Sequence, residues 1–413
     1  MTASPGNLRV LIIVENLPCP FDRRVWQEAL ALRAFGHEVS IICPKGRGYS
    51  KSFEVLEGVH IYRYSLPLEA DSAIGYAFEY AASLYMEFAL SLWVALTRGF
   101  DVIHGCNPPD TIFLIALFYK AFGKRFIFDH HDINPELYEA KFGRRDFWYR
   151  LVCRLERWTF ATADVSIATN ESYRRIAIDR GRMESSRVFV VRSGADLTRV
   201  HTVPARSELR RGKRYLVGYV GVIGKQEGLD LLLESIAYMR HKLQRDDTHF
   251  VIVGDGTELV ALRQLSRELA IGDCVEFTGR LPDGALWEIL STADVCVNPD
   301  RANAMNDKST MNKILEYMTL GKPIVQFDLT EGRCSAGDAS AYARANDVAD
   351  FAIKLCELLD DPERRSIMGA IGRRRVEDGL AWHHQVPQLL KAYETAMGNG
   401  TSSAIADSVN SKI

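Results

Sequence analysis

The sequence predicts an α/β protein of two domains, each built on a parallel sheet. Three observations carry that prediction. The chain has 413 residues, and domains usually run to about 100–200 residues. Short β-branched runs alternate with helix-length amphipathic stretches along most of it. One polar, basic stretch, Thr198 to Arg214 with Pro204 and Gly212 inside it, divides two series of the same rhythm. The expected organisation is a first domain at 1–199, a linker at 200–214 and a second domain at 215–380. A helix at 381–397 is expected to return to the first domain. The small, polar stretch 398–413 is too poor in apolar groups to offset ordering entropy and is expected to be disordered.

In order, the first series reads as strands Val10–Val14, Glu38–Cys43, Val59–Tyr64, Val102–His104, Arg125–Phe128, Val165–Ala168 and Val188–Val191. Helices are expected near Arg24–Phe35, Asp110–Phe122 and Asp146–Thr162. The second series gives strands Leu216–Val220, Phe250–Val253, Val275–Phe277, Val295–Asn298 and Ile324–Phe327. Its helices fall at Leu229–Leu243, Glu258–Leu269, Gly284–Ser291 and Asn312–Leu320. Such runs, bounded by Gly, Pro, Asn or Asp, fit neither a sandwich nor a bundle.

Composition narrows the function classes. With 47% hydrophobic and 25% charged residues the chain is neither disordered nor an integral membrane protein. A net charge of −2 gives no electrostatic reason to expect nucleic acid as a partner. The eight cysteines are scattered singly, without the spacing of zinc or redox motifs, and read as reduced thiols. Leu11–Val14 is followed by Glu15 and lacks a cleavage site, so it reads as a strand and the chain as cytoplasmic. Ala73 to Leu96 is apolar enough to raise a membrane span, but Glu79 and Glu87 interrupt it, and a helix packed on a sheet is expected.

In open parallel sheets, ligands bind beyond the carboxyl ends of the strands. After the first strand, Asp22 is placed to cap the helix that starts at Arg23 or Arg24, and Asp22, Arg23 and Asn107 are candidates for the side that receives an acceptor. After Leu216–Val220 comes Gly221-Val222-Ile223-Gly224-Lys225-Gln226-Glu227-Gly228. Glycines there let backbone approach a phosphate, and Lys225 supplies a compact positive charge. In Asn306 to Pro323, Ser309 or Thr310 is expected to cap a helix on which Lys313 and Glu316, three apart, share a face. An ammonium for phosphate and a carboxylate for ribose hydroxyls suit a sugar nucleotide; an ordinary surface ion pair is the alternative. In Asp129-His130-His131-Asp132, adjacent residues point apart, so one histidine facing a site and one packed behind it is expected rather than a metal centre.

These residues, in their order and spacing, resemble the retaining glycosyltransferases of family 4, which have the GT-B fold of two Rossmann-like domains facing across a cleft. The likeness runs from Val10 to about Tyr393. It includes Gly36-His37-Glu38-Val39, His131-Asp132, Arg192-Ser193-Gly194-Ala195-Asp196, Gly254-Asp255-Gly256, Phe277-Thr278-Gly279-Arg280 and Glu316-Tyr317-Met318 with Gly321-Lys322-Pro323. Glu15-Asn16-Leu17-Pro18, Phe21 to Glu28 and Asp129 to Tyr138 are similar to bacterial enzymes of polysaccharide or lipopolysaccharide assembly. The resemblance implies Glu316 on the ribose, the turn Ser309-Thr310-Met311-Asn312 on the distal phosphate and His131 lining the donor-sugar pocket. It implies Gly279-Arg280 near the base, with Gly221, Gly224 and Gly254 among the donor-binding residues. The family's frequent paired glutamates would place the first at Lys308, and its usual Arg and Lys fall on Val222 and Glu227, so Lys225, Lys313 and Lys308 are the cations left for the diphosphate.

The implied reaction transfers a sugar from a nucleoside-diphosphate donor to a glycan or lipid-linked acceptor with retention, through His131, Lys225 and Lys313 and without a metal or other cofactor. A sugar-nucleotide epimerase and a non-catalytic scaffold of the same fold are the alternatives. Finally, Lys141 to Trp158 interleaves six basic residues with five aromatic ones against Asp146 and Glu156. On that helix Trp148, Leu151, Val152 and Leu155 are expected to pack on the sheet, while Arg150, Arg154 and Arg157 face out, either as a solvated face or as a peripheral contact with anionic membrane.

Overall fold

The computed structural model describes residues 7–66 and 73–398; beyond Gly398, the stretch expected to be disordered lies outside them. Two compact units result, one of Met1–Ser193 with His383–Ile413 and one of Gly194–Trp382. The first unit holds an eight-stranded sheet of β1 (Arg9–Val14), β2 (Glu38–Pro44), β3 (Phe53–Leu56), β4 (Val59–Tyr64), β5 (Val102–Cys106), β6 (Arg125–His130), β7 (Val165–Ala168) and β8 (Val188–Val190). Their order is β3-β4-β2-β1-β5-β6-β7-β8. Strands such as Leu11-Ile12-Ile13-Val14 are buried on both faces, which is why they read as continuous apolar runs. The edge strand β3 was not expected: it is short, partly exposed and antiparallel to β4, joined through Glu57 and Gly58, both at positive φ as a tight hairpin requires.

Helices cover the sheet. Helix Arg23–Ala34 starts at Asp22, whose side chain accepts from the Val25 amide at 3.1 Å. The returning C-terminal helix Trp382–Ala396 buries Tyr393 in this first unit. Helix Ala73–Thr97 packs on the sheet, and the residues it turns inward are Ser83, Glu87, Ser91 and Val94. Its Phe78, Tyr85, Trp93 and Leu96 are exposed, at 71%, 71%, 58% and 85%. Helix Phe147–Thr162 departs further from expectation. Glu156, Thr159, Phe160 and Thr162 are its buried residues, whereas Trp148, Leu151, Val152 and Leu155 line an open cavity instead of packing on the sheet.

The second unit holds β9 (Tyr215–Val220), β10 (Thr248–Val253), β11 (Val275–Gly279), β12 (Val295–Asn298), β13 (Ile324–Phe327) and β14 (Ser340–Ala343), all parallel, in the order β11-β10-β9-β12-β13-β14. The last, Ser-Ala-Tyr-Ala, carries little apolar bulk and went unforeseen. The stretch 200–214 is no free linker. Val203 donates to Ser291 Oγ at 3.1 Å, Arg206 pairs with Glu288 at 2.8 Å and Arg210 pairs with Asp294, so polar side chains dock it onto the second unit. The strand order reverses between β1 and β5 in one unit and between β9 and β12 in the other. Loops leaving those strands diverge there and open a crevice for ligands.

Candidate functional site

In the second unit, the loops after β9 and β12 and the helix Asn312–Thr319 are joined by one buried lysine. Lys313 Nζ lies 2.6 Å from Glu227 Oε2, 2.9 Å from Asp300 Oδ1 and 3.4 Å from Tyr219 Oη. Burial would lower its pKa, but Asp300, Tyr219 and Glu227 outweigh it and raise the ammonium well above its ordinary value. Burial raises the Glu227 carboxyl, yet Lys313 holds it below the usual range; Asp300 is pushed up to about 7 by burial against the same cation. Lys313 is therefore not the free diphosphate cation expected of it: two carboxylates already match its charge.

Lys225 stands differently. It opens the short turn Lys225–Glu227 and is exposed; that turn is tied to the second-unit helix Asn312–Thr319 and the segment before it, since Glu227 holds Lys313 and Asn306 Nδ2 donates to the Gln226 carbonyl at 2.9 Å. Gly228, at φ 63°, closes that turn against the Pro299 carbonyl, which a Cβ would meet at 2.1 Å. The glycine-rich loops do not offer all the amides expected of them. Gly221 donates to Val253, Ile223 to Asp255 and Gly254 to Gly279. Gly224 precedes the turn in extended backbone, and Arg280, after Gly279, is exposed.

The N-cap position falls on Met311, not on Ser309 or Thr310, and Met311 makes no side-chain capping bond; Ser309 Oγ donates back to the Met305 carbonyl at 2.9 Å. Glu316, 14% exposed, accepts from Arg199 Nη2 at 2.7 Å, and Arg199 also reaches Asp283 at 3.0 Å while stacking on Trp287. Lys313 and Glu316 consequently engage separate partners.

In the first unit, the sequence reasoning missed the network behind His131. His131 Nε2 lies 2.5 Å from Asp129 Oδ2. Arg24 grips both oxygens of Asp129, at 3.1 and 2.7 Å, and donates to the Val191 carbonyl at 2.8 Å. His104, on β5, stands 3.3 Å from Asp129 and 3.4 Å from Glu28, and its Nδ1 is 2.7 Å from Tyr393 Oη. Burial lowers His104 and pushes Glu28 well up, while Arg24 and His131 overcome burial to hold Asp129 well below the carboxylate range. His131 is 11% exposed; His130 is buried among Phe128, Phe160 and Tyr173, and burial takes it down to about 3. Two signals were available: Arg24 and Glu28 stand four apart on one helix face, and His104 sits in a strand buried on both sides.

Asn107 uses all its bonding capacity. Its Oδ1 accepts from the His131 and Asp132 amides at 2.7 and 3.1 Å, and its Nδ2 donates to Asp110 and the Asp132 carbonyl at 3.0 and 2.7 Å. It fixes the His131 loop rather than offering a group to an acceptor. Asp22 caps its helix and Arg23 is exposed. Among the described residues, His104, Cys106 and Asp129 bring three possible metal ligands within 4.8 Å. They do not suit a cation, since Arg24 occupies both Asp129 oxygens and burial holds the Cys106 thiol well above its ordinary pKa.

Two family models match. Residues 22–199 fit one described as Glycosyltransferase Family 4, and residues 214–361 fit one described as Glycosyl transferases group 1. Among curated proteins, the chain is similar to a 2-deoxystreptamine glucosyltransferase of Streptomyces kanamyceticus, 26% identical over 262 residues, 60% of this chain and 65% of that protein. It thus spans just under two thirds of that relative's length. Among solved structures it is similar in fold to a sucrose-phosphate synthase from Thermosynechococcus elongatus, with a TM-score of 0.78, 17% identity, and 95% and 100% of the two chains covered. Anabaena HepE in complex with UDP and glucose is a further neighbour, with a TM-score of 0.72 at 13% identity over 94% of this chain and 100% of that one.

Proposed function

This chain belongs to glycosyltransferase family 4 and has the GT-B fold, and on that footing we propose that it moves a sugar from a nucleoside-diphosphate donor to a glycan or lipid-linked acceptor with retention of configuration. The observation that carries the reading is in the second unit. The exposed Lys225 opens a turn whose Glu227 pairs with Lys313 in the first turn of helix Asn312–Thr319, a helix with Met311 at its N-cap. A helix N-terminus with a neighbouring cation favours a diphosphate, and it stabilises the charge that grows there as the anomeric C–O bond breaks.

In this reading Glu316 accepts from ribose hydroxyls, and Gly279 and Arg280 stand near the base. Arg199, which also donates to Asp283, holds the Glu316 carboxylate in place before the donor arrives. The acceptor oxygen forms the new bond on the face the diphosphate leaves, and its proton passes to the departing phosphate. His131, fixed through Asp129 and Asn107, orients the sugar. No metal is assigned a role, so turnover is expected to survive a chelator; its loss in EDTA with recovery on adding magnesium contradicts this. We place the enzyme on the cytoplasmic side, peripheral to an anionic membrane that Arg150, Arg154 and Arg157 attract.

The experiment has two arms. A thermal-shift series with UDP, GDP, ADP and TDP is expected to show one nucleotide stabilising the protein, by about 2.7 kcal/mol at a hundred times its dissociation constant. With that nucleotide's sugars as donors, the product's anomeric configuration, read by NMR, is expected to match the donor's. An inverted product, or no response to any of the four, overturns the reading.

A further inference from the structure

The four side chains that leave the sheet on helix Phe147–Thr162 form part of a cavity of about 420 Å³. That size is within the range of small-molecule sites, about 300–1,000 Å³. Tyr80 and Leu84 of helix Ala73–Thr97, Phe142, Trp148, Leu151 and Leu155 make its apolar walls. A monomer's core would close such a space, because unfilled apolar volume is costly. Here it stays open, and the helices that build it carry uncovered apolar side chains: Phe78, Tyr85, Trp93 and Leu96 on one, Phe147 and Trp158 on another. The segment Phe78–Thr97 is long and apolar enough to span a bilayer, yet only 22% of it is buried. Glu87, one of the two carboxylates that interrupt this apolar run, points inward, accepts from Tyr64 at 3.0 Å and is pushed up by burial to about 8.

Among the polar residues lining the cavity, Asp110 and Asn134 are joined at 2.6 Å, and Asp110 is bonded to Asn107, the residue whose Oδ1 holds the His131 amide. The cavity therefore borders the network that fixes the histidine loop. The exposed Lys141 is among the lining residues; past the turn at Gly143, Arg144 pairs with Asp146 and Arg145 with Glu139.

We propose that this cavity receives the hydrocarbon chain of an acceptor lipid carrying an anionic phosphate. Resting on the glycosyltransferase reading, the proposal names its acceptor class. The exposed apolar side chains of the surrounding helices settle at the membrane surface, the chain enters between Leu84 and Leu151, and the polar head lies at the Asp110–Asn134 end, toward His131. Arg150, Arg154 and Arg157 meet other anionic headgroups.

Calorimetric titration of the full chain with hexyl, octyl and decyl phosphate, below their micellar concentrations, tests this. Affinity is expected to rise about fourfold for each added methylene. Decanol should show binding by the chain alone, and inorganic phosphate alone should give no measurable heat. Val152→Trp, which fills the cavity, is expected to weaken decyl phosphate by about tenfold or more. In the wild type, a bromine-bearing decyl phosphate is expected to quench tryptophan fluorescence, and Trp148→Phe to lose most of that quenching. Affinity independent of chain length, unaltered binding by Val152→Trp, or quenching unaffected by Trp148→Phe overturns the proposal. Nucleoside-diphosphate binding to Val152→Trp reports on the catalytic reading separately. If alkyl phosphates fail while sugar transfer to a soluble acceptor proceeds, only the lipid site falls.

Discussion

The two units each bury a charge network at the reversal point of a sheet, and they use it differently. In the first, Arg24 and His104, the latter backed by Tyr393, converge on Asp129, and the network ends on His131, a side chain it delivers toward the surface. In the second, Lys313 is enclosed by Glu227 and Asp300, and the charge goes no further. What the second network positions is backbone: the turn Lys225–Glu227 and the first turn of helix Asn312–Thr319. A buried ion in one place orients a side chain, and in the other ties two stretches of backbone together.

The largest expected effect breaks both networks alike in stability and unlike in consequence. Lys313→Met leaves two buried carboxylates without a counter-charge, and Arg24→Met leaves Asp129 without its main partner. Each is expected to cost about 3–5 kcal/mol by urea denaturation. Lys313→Met should also weaken donor binding, whereas Arg24→Met should spare it and lower turnover. Full stability in Lys313→Met would show that its charge was not matched by the surrounding carboxylates.

Acid and base separate the two aspartates. Asp300 has a folded pKa of about 7 against an ordinary value of 3.8, so between those limits the folded chain keeps a proton the unfolded chain has lost, and stability falls as pH rises. Glu15, Glu87, Asp110 and Glu156, raised to about 7 or 8 chiefly by burial, slope the same way. Asp129 is depressed, so its contribution is present above 3.8 and is lost only as pH falls through its lower folded value. Urea midpoints measured from pH 4.5 to 7.5 are expected to decline, less so in Asp300→Asn, with Asp129→Asn keeping the decline. An unchanged slope in Asp300→Asn contradicts the assignment.

The smallest effect sharpens the first network. Tyr393→Phe removes one hydrogen bond to His104 and is expected to cost about 1 kcal/mol. A modest fall in turnover should accompany it, with donor affinity intact. A fall in donor affinity would tie this tyrosine to the nucleotide instead.

What the sequence made legible follows from periodicity. Strands buried on both faces announce themselves as apolar runs, whereas β3 and β14, at sheet edges, are too short or too small-sided to do so. The helix around Trp148 shows where periodicity misleads: an apolar stripe states that something covers it, not that the sheet does. Local motifs placed Glu316 and His131 on the loops and helix where candidate sites form. They missed the Arg24–Asp129 and His104–Tyr393 contacts, whose partners lie 105 and 289 residues apart, and they read Lys313 as free because Glu227 and Asp300, its partners, are 86 and 13 residues away.

We propose that the second unit binds a nucleoside diphosphate sugar with Glu316 and Lys225 as its charged contacts, while Lys313 holds the fold. Calorimetric titration of Glu316→Gln and Lys225→Met with the nucleotide that stabilises the wild type tests it most directly. Lys225→Met is expected to keep wild-type thermal stability without ligand and Glu316→Gln to lose about 1 kcal/mol with its Arg199 pair; each is expected to bind about ten- to a hundredfold more weakly, the loss of a charge-assisted bond of about 1.5–3 kcal/mol. Wild-type affinity in both folded variants would contradict the account.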